Sequence, residues 1–474
     1  MPTSVLTVPP PATHADTAGL PADAVPPLLA IAGAGRRVPL VDGRTARYVD
    51  LDVAASAPAL RAVADHVAEI LPVYGSVHRG AGWTSQVSTA LYEAARATVA
   101  SFVGARPGDV AVLVRNTTDA LNLLASAVPA DANGTGEVLF LDVEHHANLL
   151  PWRRRPHHWV EAAHTLAGTV ARVADALAER PVALLAVTGS SNVTGELLPM
   201  AQLADLAHAT GARIAVDAAQ LAPHRRIDIA ETGIDYVAFS GHKLYAPFGT
   251  GALVGRRDWL DAAPPYLAGG GAVREVALDG SEWAAAPQRH EAGTPNVVGA
   301  AALAAACRVL ADLPDAVLGA HEAHLRERLV RGLRALPGVR VLSIWPDATE
   351  RIGVVSFTVE GFDPGWLAAY LSAEHGIGVR DGRFCAHPLM ERLLGGRNGA
   401  GAVRASLGVG SSSEDVEALL EALEDLLTGG QTWTYALEHG RWAPSPDPRG
   451  LDLAVAALLP APARVGVGSS PCQG

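Results

Sequence analysis

The lysine at position 243 has the most distinctive chemistry in this chain. Of the 37 lysines and arginines in the sequence, Lys243 is the only lysine, and it lies in the stretch "SGHKLYAPFGTG" that begins at Ser240. An arginine guanidinium stays protonated in proteins, whereas a desolvated lysine amine loses its proton readily and can form an imine with an aldehyde. The sequence therefore favours a lysine retained for covalent chemistry, and a structural ion pair is the plainer alternative.

Short apolar runs along the chain predict the strands that position this lysine. Their continuous rather than alternating apolar residues are typical of strands covered on both faces. With helix-like stretches between them, they predict an α/β fold with a largely parallel sheet, in which ligands bind beyond the carboxyl ends of the strands. The runs are "DVAVLV" (109–114), "EVLFLD" (137–142), "VALLAV" (182–187), "RIAVDA" (213–218), "YVAFS" (236–240) and "GALVG" (251–255).

The end of the first run has the features of an anion site. Thr117 and Thr118 follow "DVAVLV" and open a predicted helix. The free N–H groups and the dipole at a helix start favour an anion such as phosphate. An ordinary helix cap by Asn116 or Thr117 explains the same residues equally well.

Other strand ends carry titratable side chains. His145 and His146 follow "EVLFLD", but two histidines alone are too few to indicate a metal site. Asp217 stands near the end of "RIAVDA" with Gln220 close behind, and a carboxylate there is costly unless it is paired. An amine, an acid, a histidine and a phosphate-ready helix start are the groups that pyridoxal phosphate requires. The sequence therefore predicts a pyridoxal phosphate enzyme in which Lys243 forms the covalent bond to the cofactor.

The composition argues against several other classes of protein. Apolar residues make up 49% of the chain and charged residues 18%, which is typical of a compact enzyme with a large core. The net charge of -12 argues against a nucleic-acid-binding protein, and no apolar run reaches the roughly 18 residues that a membrane span needs. Three widely spaced cysteines, Cys307, Cys385 and Cys472, argue against a disulfide framework and favour a reducing cytoplasm.

Changes in composition and rhythm divide the chain into five segments. The tails are rich in Pro and Ala, and the later part of the chain alternates long helices with the strand-like run "RIGVVSFTVE" (351–360), which we expect to be half-exposed. The segments are a flexible N-terminal tail (1–27), an N-terminal segment joining the small domain (28–50), a large cofactor-binding domain (51–299), a small α+β domain (300–432) and a C-terminal extension (433–474) with a short helix at 451–459.

From about Leu51 to about Leu427 the sequence resembles the class V aminotransferase superfamily, and within it the cysteine desulfurase and selenocysteine lyase branch. The resemblance implies a fold-type I pyridoxal phosphate enzyme, with a large domain around a mostly parallel central sheet and a smaller α+β domain. The matching stretches are "AASA" (54–57), "VHRG" (77–80), "RNTTDALNL" (115–123), "EHHANLLPWR" (144–153), "SNVTG" (191–195), "VDAAQLAPH" (216–224), "SGHKLYAPFGTGALVG" (240–255), "GGGAV" (269–273), "EAGTPN" (291–296) and "VRDGRFCAHPL" (379–389).

The resemblance also implies how the cofactor is held. His145 would stack on the ring and help to move protons, and Asp217 would face the pyridine nitrogen. Thr294 would reach the phosphate of a neighbouring subunit, which implies a homodimer with shared active sites. The remaining cofactor contacts are expected from Asn192 and Gln220 near the ring hydroxyl, and from Thr117, Thr118, Ser240 and His242 at the phosphate.

For the substrate, the resemblance implies a cysteine desulfurase that converts L-cysteine into L-alanine and leaves a persulfide on Cys385. Arg404 and Arg380 would bind the substrate carboxylate, a task suited to the bidentate guanidinium, with Asn192 beside them and His78 bordering the pocket. A thiolate forms readily near positive charge. L-selenocysteine is a second candidate substrate, and a sulfur-acceptor protein a candidate partner.

This sequence departs from the pattern of the branch next to the cysteine. Where that pattern has two histidines, this chain has Arg383 and Phe384, and it adds "GGRNGAG" (395–401) before Arg404. The alternatives are another reaction on the same cofactor, such as transamination, epimerisation or β-elimination, and a cofactor-free scaffold that binds a partner. The single lysine argues against the scaffold.

Overall fold

A computed structural model describes residues 24–78, 80–129, 136–396 and 401–458. Most of the predicted N-terminal tail, Cys472 and the end of the C-terminal extension lie outside these residues. Up to residue 283, the strands and helices are β1 (Arg37–Pro39), β2 (Thr45–Arg47), β3 (Val49–Asp50), α1 (Arg61–Ile70), α2 (Trp83–Phe102), β4 (Val110–Val114), α3 (Thr117–Ala127), β5 (Glu137–Leu141), β6 (His157–Val160), α4 (Leu166–Glu179), β7 (Val182–Thr188), α5 (Met200–Ala209), β8 (Arg213–Asp217), α6 (Ile229–Thr232), β9 (Tyr236–Ser240), β10 (Gly251–Gly255), α7 (Arg257–Ala262), β11 (Val273–Ala277) and β12 (Gly280–Trp283).

The central sheet of the large domain has seven strands in the order β4–β10–β9–β8–β7–β5–β6. Strands β9, β8, β7, β5 and β6 run parallel, whereas β10 is antiparallel to both β9 and β4. All residues of β4, β9 and β10 are buried, because apolar cores lie on both faces of the sheet. The predicted α/β fold with a mostly parallel sheet is confirmed, and "GALVG" is its antiparallel strand.

The small domain is built on a four-stranded antiparallel sheet in the order β13–β14–β17–β16. Leucines of α9 and α12 pack with Phe357 of β14 in its core. The helix α8 instead packs against α1 and α2 of the large domain. The elements of this part are α8 (Val297–Ala311), α9 (Asp315–Ala335), β13 (Val339–Val341), β14 (Val354–Val359), α10 (Pro364–His375), β15 (Ile377–Gly378), β16 (Arg380–Gly382), α11 (His387–Leu393), β17 (Ala402–Ser406) and α12 (Ser413–Gly429).

Strand β14 is buried along almost its whole length, so the prediction of a half-exposed strand is wrong. Val355 and Phe357 face the core of the small domain. The other face lies against the large domain, where the Ser356 hydroxyl donates to the carbonyl of Val193. An alternating sequence pattern does not show whether the polar face of a strand contacts solvent or a second domain. A serine hydroxyl can find a hydrogen-bond acceptor in either environment.

The segment Asn192–Glu196 of the large domain provides polar contacts to the small domain. Ile352 N–H donates to the Gly195 carbonyl at 2.8 Å, and a Cβ at Gly195, whose φ is 75°, would lie 2.8 Å from the Ile352 oxygen. Only glycine fits so close an approach at this φ. Glu196 is fully buried and forms an ion pair with Arg351 at 3.0 Å. Buried polar groups therefore join the two domains.

The chain after the small domain forms β18 (Tyr435–Glu438), β19 (Arg441–Pro444) and α13 (Leu451–Leu458). The hairpin β18–β19 was not predicted; it packs against α10, where the Tyr435 hydroxyl donates to Glu374 at 2.7 Å. The predicted short helix is confirmed over Leu451–Leu458. Within the described residues no single helix has the length and apolar character to cross a membrane; α8 and α9 meet those criteria only as a pair bent by 88°.

Candidate active site

The start of α3 lies against the end of β9. Asn116 caps the helix, because its side-chain oxygen accepts from the N–H of Asp119 at 3.0 Å. The hydroxyl of Ser240 accepts from the N–H of Thr117 and contacts the Thr117 hydroxyl, both at 2.7 Å. Thr118 is exposed in the first turn. The cap by Asn116 is therefore present, and the anion site beside the Thr117 and Ser240 hydroxyls stays a prediction.

Lys243 lies in the tight turn that follows β9. Gly241 permits this turn, because a Cβ there would lie 2.6 Å from the carbonyl oxygen of Thr250. Desolvation lowers the pKa of the Lys243 amine to about 8, with the carboxylate of Asp217 opposing this shift. His242 is half-buried, and its pKa is lowered by burial and by the neighbouring Lys243 charge. The turn therefore holds an amine that is partly neutral near physiological pH.

Asp217 ends β8 and is buried with 4% of its surface exposed. Burial raises the pKa of its carboxyl, although the Ala219 N–H, which donates to it at 2.9 Å, and the Lys243 charge lower it. Gln220 follows and donates to the carbonyl of Ala54 at 2.7 Å. The carboxylate thus remains available for a cationic partner in the site.

His145 follows β5 at the same edge of the sheet. Its Nδ1 accepts from the N–H of Ala147 at 3.0 Å, and burial, reinforced by the charge of Lys243, lowers its pKa to about 3. A neutral imidazole that accepts at Nδ1 carries its proton on Nε2. Glu144 beside it is fully buried, with a pKa raised well above its usual range by burial, and accepts from the Thr188 N–H at 3.0 Å.

Arg404 on β17 lies on the small-domain side of the site and is 3% exposed. Its Nη1 donates to the Asn192 carbonyl at 2.9 Å, its Nη2 lies 3.4 Å from Asp52, and burial lowers its pKa to about 10. Asp52 also lies 3.4 Å from Arg380, so it bridges the two arginines. Asp52 was not predicted as a site residue; it lies two residues before the matched "AASA" stretch, and its pairing depends on β17 and β16.

Cys385 lies in the loop between β16 and α11. Phe384 and Cys385 have φ of 53° and 52°, a left-handed conformation that costs about 1–3 kcal/mol per residue and persists only where the surroundings impose it. Two contacts impose it here: His146 N–H donates to the Cys385 carbonyl and Asn192 Nδ2 donates to the Phe384 carbonyl, each at 2.8 Å. A negative charge on Cys385 would raise the pKa of both Lys243 and Arg404, so Cys385 is near enough to interact electrostatically with each.

Two histidines, His146 and His387, lie beside this loop. Their placement there was not predicted from the sequence. The rings of His146 and His387 are 4.4 Å apart and nearly perpendicular, and the His387 N–H donates to Nε2 of His146 at 3.4 Å. Burial lowers the pKa of each, and Arg383 contributes to both shifts. The loop therefore has imidazoles nearby even though Arg383 and Phe384 precede Cys385.

His78 and Thr294 are both exposed on the protein surface. His78 is exposed, its ring nitrogen is 3.0 Å from Glu93, and its ring contacts Tyr92 edge-on. Thr294 is exposed in the loop before α8. Cys307, by contrast, is buried in α8.

These groups fit the chemical requirements of pyridoxal phosphate. The site offers a desolvated amine, a buried carboxylate and a neutral imidazole, and a helix start with hydroxyl groups lies next to them. An aldehyde, a pyridine nitrogen and a phosphate each find a suitable partner among them. The cofactor would be held by Lys243, Asp217, His145, Asn192, Gln220, Thr117, Thr118, Ser240 and His242.

Comparisons with known proteins agree with this architecture. A family model described as Aminotransferase class-V matches residues 49–419. The chain is 35% identical over 392 residues to a probable cysteine desulfurase of Vibrio cholerae, covering 81% of this chain and 94% of that protein. It is 36% identical over 399 residues to a cysteine desulfurase of Dickeya dadantii, covering 81% and 92%.

Solved structures give the same result. An apo cysteine desulfurase from Thermococcus onnurineus matches with a TM-score of 0.74 and 33% identity over 81% of this chain and 95% of that one. A cysteine desulfurase from Escherichia coli in its S-sulfonic acid form matches with a TM-score of 0.69 and 34% identity, covering 80% and 94%. Fold and site thus define a fold-type I pyridoxal phosphate enzyme. The chain belongs to the class V aminotransferase family, as the sequence motifs predicted.

Proposed function

We propose that this protein is a cysteine desulfurase, which removes sulfur from L-cysteine, releases L-alanine and keeps the sulfur as a persulfide on Cys385. The observation that carries the proposal is the placement of Cys385, on a constrained loop within electrostatic range of Lys243 and Arg404. The cysteine desulfurases among its relatives, at about 35% identity over most of the chain, support the same reaction.

The substrate is held by its carboxylate. Arg404 and Arg380 provide two positive charges against the single negative charge of Asp52, so the group attracts one further carboxylate. Asn192 lies beside this position, and its carbonyl fixes Nη1 of Arg404. The role of His78 as a border of the substrate pocket is part of this proposal.

Proton movement is assigned to groups whose pKa lies near or below neutrality. Lys243, with a pKa of about 8, is able to take a proton from the substrate Cα and return it. His145 stays neutral and offers the proton on Nε2 to the substrate or the cofactor. The bound cofactor supplies an electron sink for the substrate carbon.

The sulfur transfer itself takes place between Cys385 and the substrate, and it depends on the electron sink that the bound cofactor would supply. The Cys385 thiolate attacks the substrate sulfur, the new S–S bond forms and the substrate Cβ–S bond breaks, leaving its electron pair on the substrate carbon. That carbon then takes up a proton to complete L-alanine. Arg380 and Arg383 favour the thiolate through their fixed positive charge.

We propose a homodimer in which Thr294 completes the neighbouring active site. The support is its exposure in a single subunit, together with exposed large apolar side chains elsewhere on the large domain, namely Trp83, Leu267, Val276 and Leu278. Sedimentation of the purified protein tests this, and a monomer at micromolar concentration would contradict it.

The proposal also includes L-selenocysteine as a further substrate and a sulfur-acceptor protein as a partner. It includes a reducing cytoplasmic location, which would keep Cys385 a thiol.

The decisive experiment is to incubate the holoenzyme briefly with L-cysteine and analyse the products and the protein. We expect L-alanine in solution and the mass of one extra sulfur atom on the peptide that contains Cys385. Pyruvate with ammonia, or amino transfer to a keto acid, without sulfur on Cys385 would instead assign another class V reaction.

A further inference from the structure

Phe384 contacts two of the residues that the proposed function places at the substrate carboxylate, Arg404 and Asn192. Its ring lies over the guanidinium of Arg404, with 5.3 Å between Cζ and the ring centroid. Its backbone carbonyl accepts from the Asn192 side chain at 2.8 Å. Phe384 and Arg404 are 8% and 3% exposed, so the contact is desolvated. One residue therefore touches Arg404 and Asn192 together.

One edge of the Arg404 guanidinium is poorly satisfied by hydrogen bonds from the described residues. Nη1 is committed to the Asn192 carbonyl at 2.9 Å, and Nη2 makes only a long contact of 3.4 Å with Asp52. Within the part of the chain that the structure describes, Nε has no hydrogen-bond partner although it is buried. A buried donor without a partner is costly, and a bidentate carboxylate on Nε and Nη2 would satisfy it.

Resting on the proposed function, we propose that Phe384 is a positioning residue for substrate recognition. Its ring covers the face of the Arg404 guanidinium and fixes its plane, so that the edge with Nε and Nη2 is presented to the α-carboxylate of an amino acid. An arginine with an uncovered face would rotate about its flexible side chain and would be solvated. Phe384 thus selects substrates with an α-carboxylate over amines that lack one.

The backbone conformation supports this role over simple filling of the core. A φ of 53° is unfavourable for an aromatic residue, and such conformations persist where the surrounding structure imposes them. This conformation allows the Phe384 carbonyl to reach Asn192 while the ring lies on Arg404. The position, where the related pattern has histidine, therefore serves the arginine and not only the core.

The test compares ligands with and without a carboxylate in variants that remove the ring. Phe384→Leu and Phe384→Met keep an apolar side chain, and Phe384→Tyr keeps the ring. L-alanine and cysteamine, which has the amine and thiol of cysteine without its carboxylate, are titrated into each holoenzyme by the absorbance change of the bound cofactor. We expect Phe384→Leu and Phe384→Met to weaken L-alanine binding about tenfold, the loss of one desolvated cation–π contact, and to leave cysteamine within twofold.

Steady-state kinetics give a second readout. The KM for L-cysteine should rise about tenfold in Phe384→Leu with kcat within twofold, and Phe384→Tyr should match the wild type. Phe362→Leu, which removes a ring that packs at a tilt against Trp366 in the small domain, is the matched control and should change the binding of neither ligand. Should Phe384→Leu not fold, Phe384→Met and Phe384→Tyr decide the question.

Equal losses of binding affinity for L-alanine and cysteamine, or no loss of affinity for either, would overturn the assignment of Phe384. L-alanine binding needs no sulfur chemistry, so this result is independent of whether a persulfide forms on Cys385. A protein that binds L-alanine through Arg404 but makes no persulfide would contradict the proposed function and leave the role of Phe384 standing.

Discussion

The single lysine allows its pKa to be measured directly, and we expect a value of about 8 instead of the ordinary 10.5. The cause is the loss of water around the amine, only partly offset by attraction to Asp217. The difference corresponds to about 3 kcal/mol against the charged form. At pH 7.5 roughly a quarter of the amine is then neutral, compared with about 0.1% for an exposed lysine. The neutral fraction should rise with pH around a midpoint near 8.

The assay is NMR of the apo-protein labelled with [6-13C]lysine, in which one resonance reports Lys243 across a pH series. Asp217→Asn removes a carboxylate that favours the ammonium, so it should move the midpoint below that of the wild type. Asp258→Asn removes a carboxylate of an exposed ion pair with Arg213 and should leave the midpoint unchanged. A wild-type midpoint above 10, or an upward shift in Asp217→Asn, would refute the reasoning.

Three further predictions concern the same site. Lys243→Arg should keep the fold, but borohydride should fix no cofactor to the protein, because a guanidinium does not replace the amine and no second lysine exists. A fixed cofactor adduct seen by mass spectrometry would contradict this. Cys385→Ala should retain the cofactor absorbance and lose at least a hundredfold in desulfuration of L-cysteine, with a smaller loss for L-selenocysteine, whose carbon–selenium bond breaks more easily; equal losses would argue against thiol attack. Arg383→Ala should raise the pH at which L-cysteine loads sulfur onto Cys385, followed by quenched mass spectrometry, and an unchanged pH profile would show that other charges control the thiolate.

The strands of the large domain could be predicted because a strand that is buried on both faces has a continuous apolar sequence. The residues after those runs, Thr117, His145, Asp217 and Lys243, follow from the rule that parallel strands end at one edge. Strand β14 could not be predicted correctly, because its polar residues meet a second domain. The exposure of a strand face depends on tertiary contacts that its own sequence does not specify.

The small-domain side of the site was harder to predict for the same reason. Asp52, His146 and His387 gain their roles from contacts between residues far apart in the sequence. Before Cys385 the sequence has Arg383 and Phe384 where the related pattern has two histidines. His146 and His387 instead lie beside the loop, although one precedes Cys385 by more than two hundred residues.

The segment Asn192–Glu196 has a consequence for how the enzyme unfolds. It bonds to the cysteine loop through Asn192, to β14 through Val193, and to the chain before β14 through Gly195 and Glu196. Opening the small domain away from the sheet would break all of these contacts at once and leave buried Glu196 without its ion pair to Arg351. The amide protons of both domains should therefore exchange through one cooperative opening rather than two.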